Sequence, residues 1–394
     1  MNIKKITSAL LASVLGAALL VGCSMQSAPA GKNYVSEEAV SGAASSAAGT
    51  TAATTSAATT ASTDANTASS AATAAESGAS ASTGTSQTAA PQPSEAAPTD
   101  VTVVDPSDLN EPESPTEATA DNPVDETITA RDGSIMQVVF LGDSQLDNFR
   151  DATGIAYLVS QYCNANVYNL AMGGTAASLL PGEPHGIENW NSRCFLGMVY
   201  AITGKVDPSF FSQYHAYDVF QSCDFSKTDV FVIEYGVNDY FNGAAVNNPN
   251  NVLDLETYGG ALNVGLSNLM NAYPNALYVV CGPSYAQFFK GDKYLGDGNI
   301  LSNGKATLQE YAQTADQVAA EFKAAYLDAY WSLGINSYNA DEYLLDGVHL
   351  SEEGRRSYAQ AVSRIILRSM GYDIAPGTNL DTLDWSTVHR TDGQ

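Results

Sequence analysis

The chain has 394 residues, with 17 Lys and Arg against 43 Asp and Glu, a formal net charge of −26. So acidic a chain lacks the basic footprint that phosphate binding needs, which argues against a nucleic-acid binder and against a polybasic membrane-surface protein. Its 5 cysteines are too few for a disulfide scaffold.

In chain order, residues 1–23 read as an export signal. Lys4 and Lys5 supply the positive start, and Ile6 to Val21 an apolar stretch shorter and smaller-residued than a typical spanning helix. The segment ends Leu20-Val21-Gly22-Cys23, the bacterial lipobox pattern: two apolar residues, a small residue, then the Cys that is lipidated and becomes the mature N-terminus. Acyl chains on Cys23 would anchor the protein to the outer face of the cell membrane, each buried CH₂ contributing about 0.8 kcal/mol.

Residues 24–132 are rich in Ala, Ser and Thr, turn acidic toward their end, and contain a single aromatic residue, Tyr34. Such a stretch has almost no apolar surface to offset chain entropy and predicts a disordered tether. A flexible chain of that length spans about 57 Å r.m.s., and its charge and prolines should extend it. Residues 133–372 are a usual length for one α/β domain. Residues 373–394 form a polar tail whose Leu380, Leu383 and Trp385 are apolar enough to pack back on the domain surface.

Within the domain, short β-rich apolar runs alternate with helical ones. Strands are predicted at Met136–Leu141, Val167–Leu170, Asp229–Tyr235, Leu277–Cys281 and Ala325–Asp328. Helices are predicted at Ile155–Cys163, Thr257–Ala272 and Lys305–Lys323. A last helix, capped by Ser351, runs to about Met370. The alternation predicts a parallel sheet covered on both faces, with ligands bound beyond the carboxyl ends of its strands.

Four motifs sit at or after predicted strands or just before the last helix. They are Gly142-Asp143-Ser144, the Asn169-Leu170-Ala171-Met172-Gly173-Gly174-Thr175 run, Tyr235-Gly236-Val237-Asn238-Asp239 and Asp346-Gly347-Val348-His349. Any one is weakly specific. Together, in this order, they resemble the blocks of the SGNH (GDSL-type) hydrolase family across about Ile135 to Leu367. The resemblance implies a flavodoxin-like three-layer α/β/α sandwich around a parallel sheet of about five strands. It also implies a serine ester hydrolase.

The chemistry can be argued from the residues themselves. A serine hydroxyl is a poor nucleophile until a base takes its proton, and His is the base best matched to neutral pH. Of the four His, only His349 lies three residues after an Asp. Asp346 would fix its tautomer and stabilise the imidazolium, giving a Ser144–His349–Asp346 triad. By the resemblance, the oxyanion hole takes the backbone N–H of Ser144, the backbone N–H of Gly174 and the side-chain amide of Asn238. Gly174 is preferred over Gly173 by its spacing from Asn169. The plainer alternatives are a helix cap at Ser144, a turn at Asn238-Asp239 and a surface histidine at His349. No Gly-x-Ser-x-Gly elbow, His-Glu-x-x-His, Cys-x-x-Cys, P-loop or dinucleotide fingerprint occurs, so neither a catalytic metal nor another cofactor is expected.

Cys163, Cys194, Cys223 and Cys281 allow two disulfides in an exported domain, although Cys281 lies in a buried-strand pattern that favours a free thiol. Two stretches exceed a minimal domain, at 175–229 and 284–304. The first is rich in aromatic residues that would either stack on sugar rings or pack locally. Tyr outnumbers Phe, 21 to 12, which favours a polar cleft over a greasy one. The expected partner is an ester of a carbohydrate, with short acyl groups such as O-acetyl removed. The alternatives are a lipase, lysophospholipase or thioesterase, a wall-polymer acyltransferase, and a non-catalytic surface-binding module. The sequence leaves the oligomeric state open.

Overall fold

The structure is a computed structural model, and it describes residues 101–109 and 136–391. The expected export signal, the lipidation site Cys23 and most of the expected tether lie outside the described residues.

In chain order the elements are β1 (Thr102–Val103), β2 (Gln137–Gly142), α1 (Ser144–Asp147), α2 (Ile155–Cys163), β3 (Asn166–Asn169), α3 (Phe195–Ile202), α4 (His215–Ser222), β4 (Val230–Glu234) and α5 (Val237–Phe241). They continue as α6 (Tyr258–Ala272), β5 (Leu277–Cys281), β6 (Gln287–Lys290), β7 (Lys293–Asp297), β8 (Leu301–Ser302), α7 (Leu308–Phe322), β9 (Ala325–Leu327), α8 (Ala340–Tyr343) and α9 (Glu352–Ser369).

A sheet of five parallel strands in the order β3-β2-β4-β5-β9 forms the centre. Strands β2, β4 and β5 are buried at every position, which is why their sequences run as continuous apolar stretches rather than alternating. Helices α2 and α9 pack on each other over one face, and α3, α6 and α7 cover the other. Side chains start the helices where the sequence signals them. Thr257 caps α6, Ser351 caps α9, and Thr307 with Glu310 closes a reciprocal capping box on α7.

The chain passes from β2 outward to β3, then reverses to β4 on the other side. At that reversal the connections leave in opposite directions and open a crevice beyond the carboxyl ends of β2 and β4. The Gly-Asp-Ser and Gly-x-Asn-Asp motifs follow these two strands.

Three parts differ from the sequence reading or resolve it. Residues 101–109 fall inside the expected tether but are not free chain here. β1 pairs in parallel with β8, Lys290 Nζ lies 2.6 Å from Asp108 Oδ1, and Leu109 is buried. The Thr102–Val103 pairing and the buried Leu109 side chain hold this short strap in place. The stretch 175–229 folds into α3, α4 and short turns, and its rings pack fully or partly against the core. Phe195 and Phe211 are fully buried, and Trp190 meets Tyr200 edge-on while its Nε1 donates to Ser192 O. Local packing, not a sugar platform, therefore accounts for these aromatics. The stretch 284–304 holds the antiparallel β6–β7 hairpin and β8.

The tail packs back, with Leu380 buried and Trp385 against Tyr372. Cys163, Cys194, Cys223 and Cys281 are free thiols. Burial pushes Cys163, Cys223 and Cys281 up to about 12 and Cys194 up to about 11, which leaves them protonated and unreactive at neutral pH.

Candidate active site

Strand β2 ends at Gly142, and the chain turns directly into α1. Asp143 caps that helix, its Oδ1 accepting the Gln145 N–H at 3.0 Å. Ser144 is thereby the first residue of α1, where its own N–H has no intrahelical partner. Its side chain points to His349, whose Nε2 lies 3.0 Å from Ser144 Oγ. His349 Nδ1 lies 2.7 Å from Asp346 Oδ2. The other carboxylate oxygen, Asp346 Oδ1, accepts the backbone N–H of Val348 at 2.9 Å and of His349 at 2.8 Å. With Nδ1 donating to Asp346, the neutral ring leaves Nε2 as an acceptor for the serine proton. Burial works to raise the Asp346 carboxyl, but the His349 N–H, its charge and the two backbone N–H bonds outweigh it and hold the group below its ordinary value. Asp346 therefore carries its charge at neutral pH.

The structure thus brings Ser144, His349 and Asp346 into one hydrogen-bonded line across some two hundred positions of sequence. Ser144 and His349 are both buried, so little water competes for the contact. Gln145 fastens the two ends together: its Nε2 donates to Val348 O at 2.8 Å, and its Oε1 accepts the Leu350 N–H at 3.2 Å. From the other side, the hairpin braces the histidine loop through Gln287 N–H to Gly347 O at 2.7 Å.

The three expected oxyanion donors differ in what they bind. Among the described residues, neither the Ser144 N–H nor the Gly174 N–H is taken by a protein acceptor. Gly174 has φ +72°, and a Cβ there would meet nothing within 4 Å. Glycine is needed at this position for the left-handed backbone rather than for space. The third donor is otherwise engaged. Asn238 Nδ2 lies 3.1 Å from Asp143 Oδ2 and 3.0 Å from Thr175 O. In this resting arrangement its amide ties the serine turn to the glycine run. Asp239, next in sequence, is also structural: its carboxylate accepts the Ala177 and Ser178 N–H groups, each at 2.9 Å, and the Ser178 hydroxyl at 2.6 Å.

Beneath the serine lies a buried carboxyl pair that sequence reasoning missed. Glu234 ends β4 beside Gly142 in register, and a Cβ on Gly142 would come within 3.1 Å of Glu234 Oε2. The bare glycine makes room for that carboxyl. Burial, then the neighbouring Asp143 charge, raises Glu234 well above the ordinary carboxylate range. Burial likewise pushes Asp143 up to about 6, against the pull of the Gln145 N–H, the Glu234 hydroxyl and the His349 charge. Of the two, Glu234 holds its proton more tightly, and an ionised Asp143 places a second negative charge near the imidazole. The readable signal was a carboxylate inside the apolar run V-F-V-I-E-Y. Gln145 offered none, because its role depends on a loop two hundred residues away. Among the described residues, no group of three or more His, Cys, Asp or Glu is arranged to hold a metal ion.

The family model for GDSL-like Lipase/Acylhydrolase matches residues 138–362, more than half of the chain. The chain belongs to that family, and its enzyme class is accordingly that of the serine ester hydrolases. A search of curated protein sequences gives no match. Solved structures similar in fold include a protein from Lactobacillus plantarum, at 17% identity and TM-score 0.41, covering 60% of this chain and 98% of that one. Another is a possible lipase from Chitinophaga pinensis, at 16% identity and TM-score 0.41, covering 60% and 99%. A third is an active-site mutant of a family two carbohydrate esterase from Clostridium thermocellum, at 14% identity and TM-score 0.39, covering 62% and 65%.

Proposed function

We propose that this protein is an exported lipoprotein, held at the outer face of the cell membrane through Cys23, that hydrolyses short acyl esters, O-acetyl groups above all, on carbohydrate. The observation that carries the chemistry is the line from Ser144 Oγ through His349 Nε2, at 3.0 Å, and from His349 Nδ1 to Asp346, at 2.7 Å.

The reaction follows from that line. His349 Nε2 takes the Ser144 proton as Oγ attacks the ester carbonyl carbon, and the carbonyl π-electrons move onto oxygen. The oxyanion is met by the N–H groups of Ser144 and Gly174. Asn238 adds a third donor when one of its N–H bonds turns from Asp143 or Thr175 toward the oxygen. The tetrahedral centre collapses, the C–O bond to the sugar breaks, and His349 returns its proton to the departing sugar oxygen. Water repeats the sequence on the acyl-serine and releases the carboxylic acid. The charges of Asp346 and Asp143 stabilise the imidazolium that forms twice in each turnover.

A cavity of about 460 Å³ lies beside α5, which carries Asn238, between the Ser178–Pro181 run and the Asn242–Asn248 loop. Asn247, Asn248, Asp254, Glu256 and Lys305 line it. The lining is mixed, with Leu179, Leu180, Pro181 and Pro249 beside these polar groups, and none of Ser144, His349, Asp346 or Asn238 borders it, so it does not decide between a sugar and an acyl chain. A wall-spanning acidic tether would bring such a site to surface glycans first. The test is a screen of the full chain against acetylated glycans and against aryl esters of increasing acyl length. Fastest turnover on acetyl esters with deacetylation of a glycan is expected. A rate that climbs with acyl length and no glycan deacetylation would replace this reading with a lipase.

A further inference from the structure

We propose that Asp147 and Arg150 are positioning residues of this site: their ion pair locks the Met172–Gly174 turn onto the serine helix and so sets the spacing between the Ser144 and Gly174 N–H groups. The inference rests on the esterase reading above.

Arg150 is unusual for an arginine in that only 8% of its side chain is exposed. Its guanidinium is used almost to capacity. Nε donates to Asp147 Oδ1 at 2.8 Å, and Nη2 lies 2.8 Å from the same oxygen. Nη1 donates to Asn169 O at 3.0 Å and Nη2 to Ala171 O at 2.8 Å. Both carbonyls belong to the glycine run. The free oxygen of the pair, Asp147 Oδ2, accepts the Gly173 N–H at 2.7 Å. The carboxylate therefore joins the guanidinium to the N–H one residue before Gly174.

The far side of the same turn is fixed independently. Met172 N–H donates to Gly142 O at 3.0 Å, and Thr175 Oγ1 donates to Met172 O at 2.7 Å. The Met172 N–H and O, the Gly173 N–H and the Thr175 hydroxyl around Gly174 are thus anchored, while the Gly174 N–H is left without a protein acceptor among the described residues. Asp147 is the last residue of α1, whose first residue is Ser144. A clamp on α1 that grips the glycine turn couples the two N–H groups as one rigid unit. Misplacing a reacting group by about 1 Å can cost on the order of 10² in rate, which gives such a clamp a kinetic role.

The test uses the full chain with an acetyl aryl ester, active-site titration and a fluorophosphonate that labels Ser144 and seats its phosphoryl oxygen in the oxyanion hole. Asp147→Ala and Arg150→Ala are expected to lower kcat per titrated site by roughly 10- to 100-fold with KM within about twofold, and to slow labelling by a similar factor. Arg150→Lys should recover little, because an ammonium lacks the planar fork. Asp147→Asn, which keeps one acceptor at the same place, should fall between wild type and Asp147→Ala. A residue that only stabilises the fold would lower the melting temperature and leave kcat per titrated site unchanged. That result, in Asp147→Ala or, if it does not fold, in Asp147→Asn, overturns the proposal. Absence of both hydrolysis and labelling in the wild type overturns the esterase reading and this inference with it. Normal wild-type turnover with unaffected variants removes this inference alone.

Discussion

Replacing Glu234 by Gln tests the electrostatics beneath the nucleophile. Glu234 is fully buried, and its nearest ionisable partner is another carboxyl, Asp143. Burial, then that partner's charge, raises its folded value above the ordinary 4.5 that it has in the unfolded chain. A group raised in this way contributes its full stability below the unfolded value and loses it as pH rises, because the folded state holds a proton that the unfolded chain releases. The slope is about 1.4 kcal/mol per pH unit for each such proton. Wherever Glu234 holds its proton while the unfolded chain has released it, the wild type loses stability at up to that slope as pH rises. Gln does not titrate, matches Glu in size, and its amide still donates to the Asp143 carboxylate. Asp143, pushed up to about 6 with the Glu234 hydrogen bond among its causes, is also shifted by the substitution, so the sign of the change rather than its size is the test. Urea unfolding of both proteins at two pH values measures the effect. The stability of Glu234→Gln relative to wild type should rise from about pH 5 to about pH 7, at no more than about 1.4 kcal/mol per pH unit, and turnover should stay within a few-fold. A relative stability that is flat with pH would refute the assignment of the proton to Glu234.

Other expectations follow from the same geometry. Ser144→Ala should keep the wild-type unfolding curve and abolish both ester hydrolysis and fluorophosphonate labelling; substantial residual turnover would remove Ser144 as nucleophile. Asn238→Ala should cost on the order of 10²–10³ in kcat if its amide turns to the oxyanion in the transition state, and a loss under about threefold would leave it as a tie between Asp143 and Thr175 only. Gln145→Ala strands the buried Leu350 N–H and Val348 carbonyl, so a loss of about 1–3 kcal/mol in unfolding free energy is expected together with a fall in kcat. At the strap, Asp108→Ala should change stability by less than about 1 kcal/mol because the pair with Lys290 is exposed. Leu109→Asp should release residues 101–109, read as faster limited proteolysis there.

Much of the architecture was legible in local pattern. Strands β2, β4 and β5 announce themselves as β-rich apolar runs because a central parallel strand is buried on both faces. Helices α6, α7 and α9 carry their periodicity and capping residues in the chain. The candidate site was legible in part, since Ser144, Asn238 and His349 sit in short motifs at strand ends or helix starts, and the structure brings Ser144 Oγ and His349 Nε2 within 3.0 Å. Less was readable where an element is short or its partner remote. Residues 101–109 look like tether in composition, yet they dock because β8 offers an edge and the core accepts Leu109. The rings of 175–229 look like a binding surface in sequence, yet they are consumed by packing.

The sequence by itself determined which groups this protein has available: a serine, a histidine and an aspartate of the right kinds, on strand ends whose winding order brings strand ends together. Tertiary structure decided how those groups are used. Only the fold places Gln145 across the gap to Val348 and Leu350, buries Glu234 beside Asp143 so that both carboxyls are raised, and closes Arg150 and Asp147 around the glycine turn. The physical reason is that local pattern encodes burial and backbone preference. Hydrogen-bond partners and pKa shifts depend instead on what the rest of the chain brings within about 3 Å.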